Sequence, residues 1–229
     1  MSNLCVITAR GGSKRIPRKN IRPFLGKPII AYSIEAALSS GVFDEVMVST
    51  DDEEIAEVAH SFGAEVPFFR SEATSNDFAT TADVLNEVLD EYEKRERAFE
   101  FFACIYPTAP FVTGEKIKTA MEKLAGSDGD SIRTVVQYSY PPQRAFVAKD
   151  GVISYQYPQY RRTRSQDLDP IYHDCGQLYI YRTSSFRKFG DAGKMLSIVM
   201  PEEETQDIDH YSDWELAEIK YKKFILKEE

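Results

Sequence analysis

Five cationic side chains crowd one short stretch of an otherwise acidic chain. Arg10, Lys14, Arg15, Arg18 and Lys19 surround the diglycine Gly11-Gly12 in a protein of 229 residues with formal net charge -9. Glycines let backbone N–H groups approach an anion closely, and the cations neutralise it. Without a counter-anion such crowding costs self-repulsion, so the stretch reads as a phosphate-binding loop. Its spacing excludes the two commonest designs. A Walker loop needs a Gly-Lys-Ser/Thr ending and a dinucleotide fingerprint needs Gly-x-Gly-x-x-Gly; Gly11-Gly12-Ser13-Lys14 supplies neither.

A second group with chemical potential lies near the other end of the chain. Asp207 and Asp209 are separated by one residue, and in an extended segment such side chains point the same way and can reach one ion. Oxygen-only ligands suit Mg²⁺, which takes one or two carboxylates together with substrate phosphates. The same pair would equally serve as acids at the start of a helix, and spacing leaves both readings open. Asp51-Asp52-Glu53-Glu54 reads as a capped helix start. The histidines are scattered, with His173 in a polar interruption before a strand. Nothing marks a Ser-His-Asp or Cys-His set. Phosphoryl or nucleotidyl transfer needs no protein nucleophile, because it depends on positioning and charge stabilisation.

The elements that must hold these groups alternate. Leu4 to Ala9 is an apolar, β-branched run that ends at the diglycine, as a buried strand would. Pro28 opens a helix carrying Ile30, Ile34, Ala37 and Leu38, and Gly41 closes it. A strand at Val46–Ser49, a helix bearing Ile55, Ala59 and Phe62, and a third strand at Glu65–Phe69 continue the alternation. Strand-helix repetition at this spacing predicts a parallel sheet whose ligands bind beyond the carboxyl ends of its strands. Arg70–Thr81 reads as a polar loop and Val84–Tyr92 as a helix. Strands follow at Phe101–Tyr106 and Ile132–Tyr138, with a helix between them. Ser139–Tyr172 breaks the pattern, with a β-hairpin expected near Phe146–Tyr155. A strand at Gly176–Tyr181, a short helix, a strand at Leu196–Met200 and a final helix with Trp214, Ala217, Tyr221 and Phe224 complete the chain.

Composition narrows the classes further. Hydrophobic content of 42% and charged content of 28% are ordinary for a soluble domain. Three separated cysteines argue against a disulfide framework or a thiolate zinc site. No apolar run reaches membrane-spanning length, so a cytoplasmic protein without a membrane partner is expected. The acidic balance speaks against nucleic acid.

The motifs resemble those of a known family. Ala9-Arg10-Gly11-Gly12-Ser13-Lys14 with Lys19-Asn20 is similar to the signature of the acylneuraminate cytidylyltransferases, which activate acidic nine-carbon sugars. Ser49-Thr50-Asp51, Arg70 with Asp77 and Thr81, Pro107-Thr108-Ala109-Pro110, Gly176 to Ile180 and Gln206-Asp207-Ile208-Asp209 fall where that family has matching segments. Tyr106 stands where the sialic acid enzymes normally carry Gln, and His173-Asp174-Cys175-Gly176-Gln177 replaces their Arg-x-Asn-Gly stretch. These details resemble the pseudaminic acid branch.

The resemblance implies a three-layer Rossmann-like α/β nucleotidyltransferase with a mostly parallel sheet. One domain would span 1–229, with 139–172 as a dimerisation or lid segment of a homodimer. It implies that CTP and a nine-carbon 2-keto sugar acid give a CMP-sugar and pyrophosphate, with Mg²⁺. Arg10, Lys19 and Asp209 would be catalytic. Ala9, Arg10, Gly11, Gly12, Ser13, Lys14, Asn20, Arg70, Thr81 and Pro107 would hold the nucleotide. Tyr106, His173, Asp174 and Gln177 would lie on the sugar side, and Asp207 and Asp209 would hold the metal. Arg70 could instead pair with Glu72, and Thr81 could cap its helix. Arg161, Arg162 and Arg164 could face the sugar carboxylate or form a solvated run. The alternatives are the same chemistry on sialic, legionaminic or 3-deoxy-octulosonic acid, or a nucleotide-binding module without catalysis.

Overall fold

The computed structural model describes residues 2–228. A six-stranded sheet runs in the order β10-β6-β9-β5-β1-β4. Its strands are β1 (Asn3–Thr8), β4 (Glu45–Ser49), β5 (Phe101–Ile105), β6 (Ser131–Gln137), β9 (Tyr172–Arg182) and β10 (Met195–Met200). Two small pairs lie outside it: β2 (Pro23–Phe24) with β3 (Lys27–Pro28), and β7 (Phe146–Lys149) with β8 (Val152–Tyr155). Five strands of the sheet share one direction and β9 alone opposes them, antiparallel to both β5 and β6. The sheet is thus mostly parallel, as expected.

Alternation along β1 sets the layers. Cys5 and Ile7 face a core shared with α1 (Ile29–Ser40), α2 (Glu53–Ser61) and α5 (Gly114–Ala125). Leu4 and Val6 face a core shared with α4 (Thr81–Glu93) and α6 (Thr183–Phe189). A strand covered on both faces must be apolar throughout, and β1 and β5 are. A third cluster packs Phe24, Tyr32 and Trp214 of α7 (Tyr211–Lys220) beside the phosphate loop.

Four local expectations are corrected. Glu65–Phe69 is no strand: only Glu65 makes a bridge, to Met47, because Pro67 has no N–H to continue a ladder. The loop 70–81 contains the short α3 (Glu72–Ser75). β9 begins at Tyr172 rather than Gly176. Beyond Lys220 the last helix passes into a π turn, Tyr221–Leu226, which leaves Phe224 exposed. The hairpin at Phe146–Tyr155 is where the sequence puts it.

The direction of β9 matters most for the site. Because it opposes its neighbours, its first residues lie beside the carboxyl ends of β5 and β6. Tyr106 N–H donates to the Gln177 carbonyl at 3.0 Å, and Tyr172 is in register with Gln137. His173 and Asp174 are thereby carried to the edge of the sheet where the phosphate loop leaves β1.

Candidate active site

The loop after β1 is held in shape by carboxylates of the next βα connection. Ala9 N–H extends the ladder to the Ser49 carbonyl at 2.9 Å, after which the chain leaves the sheet. Gly11 N–H donates to Asp51 Oδ1 at 2.8 Å. A Cβ on Gly11 would stand 2.6 Å from Asp52 Oδ2, so a larger residue would have to push the Asp52 side chain aside. Gly12 meets no such neighbour. Asn20 is buried and its side chain donates to the Arg10 carbonyl at 2.9 Å, tying the two ends of the loop together. Asp52 accepts the Ile55 N–H as the cap of α2 and also pairs with Arg18. The Arg18 guanidinium holds the Asp52 carboxyl below the usual carboxylate range. Asp52 therefore caps α2, as expected, and Asp51 and Asp52 together anchor the loop.

Arg18 is spent on that anchor. The other four cations, Arg10, Lys14, Arg15 and Lys19, line a cavity of about 520 Å³ together with Ser13, Asn20, Asp77, Thr81, Tyr106 and Pro107. They are paired off by two carboxylates. Asp77 takes Arg10 at 2.8 Å and Lys14; Asp209 takes Arg15 at 2.7 Å and stands 3.8 Å from Lys19. Lys19 Nζ also donates to the Ile208 carbonyl at 2.6 Å. Burial lowers its pKa, and the nearby Asp209 and Asp207 pull it back up. An adjoining recess of about 240 Å³ shares Arg10, Asp77 and Thr81 and is closed by Arg70. Arg70 does not pair with Glu72. Its Nη2 donates to the Ser49 carbonyl at 2.7 Å and its Nε to Ser49 Oγ at 3.1 Å. Thr81 does not cap α4 either. Thr80 does, in a capping box with Asp83, leaving Thr81 Oγ1 3.2 Å from the Tyr106 hydroxyl.

A second cavity, about 530 Å³, opens beside the first and is lined by His173, Asp174, Cys175, Gly176, Asp207 and Lys220 among others. Gly176 sits at φ +63, and its N–H donates to Asp174 Oδ1 at 2.8 Å. The Tyr179 hydroxyl donates to the same oxygen at 2.8 Å. The Tyr106 and Tyr179 rings lie 5.5 Å apart, which makes them the partition between the two cavities. Gln177 departs from expectation. Its side chain is buried away from both cavities, with Nε2 donating to the Glu204 carbonyl at 3.3 Å. Arg164 pairs with Asp167, and Arg161 and Arg162 line neither cavity.

Asp207 and Asp209 flank Ile208, which is fully buried; Asp207 lines the second cavity, while Asp209 pairs with Arg15 and lies near Lys19 of the first. Neither caps α7: Asp213 Oδ2 accepts the N–H groups of Asp209 and His210, at 3.0 and 2.7 Å. The helix-start reading of the pair is thus supplanted by another residue. Two hard oxygen donors fit Mg²⁺ as a partial ligand set. No group of three acidic, histidine or cysteine ligands exists among the described residues, so phosphate and water would supply the rest.

Sequence reasoning passed over Lys220 and Arg133. Lys220 donates to the carbonyls of Thr205 (2.8 Å) and Glu202 (3.1 Å), holding the turn that leads into Asp207. Each is one charged residue on an amphipathic element, and only the fold shows what it reaches.

A mostly parallel α/β sheet with a cationic loop after its first strand is the build of a nucleotidyltransferase, and the family is explicit: the cytidylyltransferase profile matches residues 4–224, and the chain belongs to that family. It is 41% identical, over 97% of both chains, to a pseudaminic acid cytidylyltransferase of Campylobacter jejuni. It is 34% identical, over 95% of both, to the CMP-N,N'-diacetyllegionaminic acid synthase of Legionella pneumophila. In fold it resembles a CMP:2-keto-3-deoxy-manno-octonic acid synthetase solved with CTP, at a TM-score of 0.70 and 18% identity over 96% of this chain and 98% of that one.

Proposed function

We propose that this chain transfers CMP from CTP to pseudaminic acid, releasing pyrophosphate. The observation that carries this reading is the arrangement of two cavities. One is lined by Arg10, Lys14, Arg15 and Lys19; the other, around His173 and Asp174, has Tyr179 in its wall, whose ring packs 5.5 Å from that of Tyr106 in the wall of the first. The first suits a triphosphate and the second a polar sugar, and the reacting atoms would meet at the partition.

In this reading the sugar's anomeric hydroxyl attacks the α-phosphorus in line and pyrophosphate departs. Arg10 and Lys19 take up the charge that develops on the leaving group, the kind of preorganised stabilisation that contributes most in a water-poor site. Asn20 and Asp51 hold the loop in place for this, while Arg70 and Thr81 bound the recess suited to the cytidine. Asp207 and Asp209 would hold Mg²⁺, which neutralises triphosphate charge when bound. Tyr106, His173 and Asp174 face the sugar; Gln177 supports β9 from behind.

The segment 139–172 is proposed as the homodimer contact within a single domain. Its hairpin exposes Phe146, Val147, Val152 and Ile153, an apolar edge that a second copy would cover. No helix among the described residues is long and apolar enough to cross a membrane, and we place the enzyme in the cytoplasm with its CTP supply.

The test is pyrophosphate release from CTP with a panel of pseudaminic, legionaminic, N-acetylneuraminic and 3-deoxy-octulosonic acids. Pseudaminic acid should give the highest kcat/KM by at least about tenfold. Equal rates with legionaminic acid would move the assignment to that branch, and no release with any acid would end it.

A further inference from the structure

The four cations of the nucleotide side are not equally committed. Lys19 is tied to the Ile208 carbonyl at 2.6 Å, and Arg10 and Lys14 share Asp77. Arg15 lines the same cavity and has no step above. Its side chain is 60% exposed, and among the described residues its one polar partner is Asp209 Oδ2 at 2.7 Å. That oxygen belongs to one of the two acids proposed to hold Mg²⁺. Asp209 Oδ1 faces Lys19 at 3.8 Å, so both oxygens of this carboxylate look toward cations. Its backbone is fixed from another side, where its N–H donates to Asp213 Oδ2 at 3.0 Å. Asp207 differs, being exposed and turned to the second cavity.

Mg²⁺ binds carboxylate oxygens directly, and a guanidinium on the same oxygen opposes it by charge and by space. Arg15 and the divalent cation therefore compete for Asp209. The competition is light, because an exposed ion pair contributes little to stability and its arginine is free to turn. A guanidinium released from Asp209 has a second partner at hand. Arg15 already borders the cavity of Arg10 and Ser13, and its planar fork matches two phosphate oxygens as well as it matches a carboxylate.

We propose that Arg15 is an exchange residue. It rests on Asp209, yields that oxygen when the divalent cation arrives, and moves to the pyrophosphate end of the bound triphosphate. Cation and nucleotide then favour each other's entry, since each draws Arg15 toward the same new position. The proposal rests on the metal and phosphate assignments of the functional reading above.

The experiment uses the whole chain without any sugar acid, so it reads binding and not turnover. Mn²⁺ serves as the probe because its free form is counted directly by electron paramagnetic resonance. Mn²⁺ affinity without nucleotide, and pyrophosphate affinity by calorimetry at saturating Mg²⁺, are compared for wild type, Arg15→Gln and Arg15→Lys. Arg15→Gln should bind Mn²⁺ about threefold to fivefold more tightly and pyrophosphate about tenfold more weakly. Arg15→Lys should fall between it and wild type on both measures. The opposite signs are the signature, because a mere prop for the loop would weaken both. Unchanged or weaker Mn²⁺ binding in Arg15→Gln overturns the proposal. Unchanged pyrophosphate binding overturns it as well, leaving Arg15 as a shield for Asp209 alone. A melting temperature equal to the parent's checks the fold, and Arg15→Ala repeats the comparison if Arg15→Gln fails that check. A wild type that binds neither probe would overturn the functional reading and this proposal together. One that binds both but releases no pyrophosphate from CTP with any sugar acid would overturn the proposed reaction, while the exchange still stood or fell by the two affinities.

Discussion

The two sides of the candidate site are built on opposite plans. The nucleotide side draws its cations from one loop of the chain, residues 10–19, and locks that loop with neighbours from the very next βα connection. The sugar side has no such loop. In the proposed site Tyr106 follows β5, Asp174 and Tyr179 share β9, and Asp207 lies in the turn before α7, gathered because β9 runs against the direction of its sheet. A site for a triphosphate, which every member of such a family must hold, is thus compact in sequence. A site for a particular sugar is dispersed, so single substitutions can alter it without disturbing phosphate binding.

That contrast can be broken most directly at Lys19. Replacing Lys19 with Ala removes a partly buried cation whose partners, Asp209 and the Ile208 carbonyl, come from the far end of the chain. Loss of a group that stabilises transition-state charge typically costs about 10²–10³ in kcat. We expect that loss with every sugar alike, and a circular-dichroism melt close to the parent's. A loss confined to one sugar would mean that Lys19 belongs to the sugar side.

Asp209→Asn comes next. The side chain pairs with Arg15 and Lys19 and is half of the proposed metal pair. Its carboxylate is also the strongest support of the Lys19 charge against burial, so the variant should lower the Lys19 pKa further. Turnover should fall by about 10–100-fold at low Mg²⁺ and recover partly when Mg²⁺ is raised. A Mg²⁺ titration that superimposes on the wild type's would return Asp209 to a purely structural ion pair.

How much of this was legible beforehand follows the same division. The loop was readable because its chemistry is local: glycines and cations side by side can be recognised without knowing the fold. Asp207 and Asp209 were readable as a pair for the same reason, though not as to which residue caps the following helix, because Asp213 lies a turn further on. Glu65–Phe69 was misread because an apolar run says nothing about whether its N–H groups find a ladder, and Pro67 breaks this one. Gln177 was assigned to the sugar side by the resemblance alone, and only the fold shows its side chain buried and donating to the Glu204 carbonyl. Arg133 left no trace in the sequence, since only the fold brings it beside Asp174 and the Tyr179 ring.

The hairpin offers a milder test. Ile153→Glu places a charge in the middle of the exposed apolar edge formed with Phe146, Val147 and Val152. If that edge is the dimer contact, the variant should be monomeric by sedimentation. If the partner's segment also completes the proposed sugar side, the sugar KM should rise by about threefold to tenfold while CTP affinity stays put. A variant that remains dimeric places the contact elsewhere.

The smallest effect expected is also the one of opposite sign. Asp77 occupies Arg10 and Lys14 from the loop after α3, and those two cations are the ones a triphosphate would claim. Its carboxyl is held below the usual range, first by Lys14 and then by Arg10. A group whose folded pKa is depressed keeps its contribution above its unfolded pKa and loses it only as pH falls through the folded value, so Asp77 stays charged throughout the neutral range. If CTP binds as proposed it displaces a carboxylate, and Asp77→Asn should tighten CTP binding by about threefold to tenfold, measured by calorimetry without sugar. The gain should shrink as salt is raised, since both competitors are exposed ion pairs. Weaker binding in Asp77→Asn would show instead that Asp77 aims Arg10 at the phosphates, and would make the nucleotide side depend on a distant loop after all.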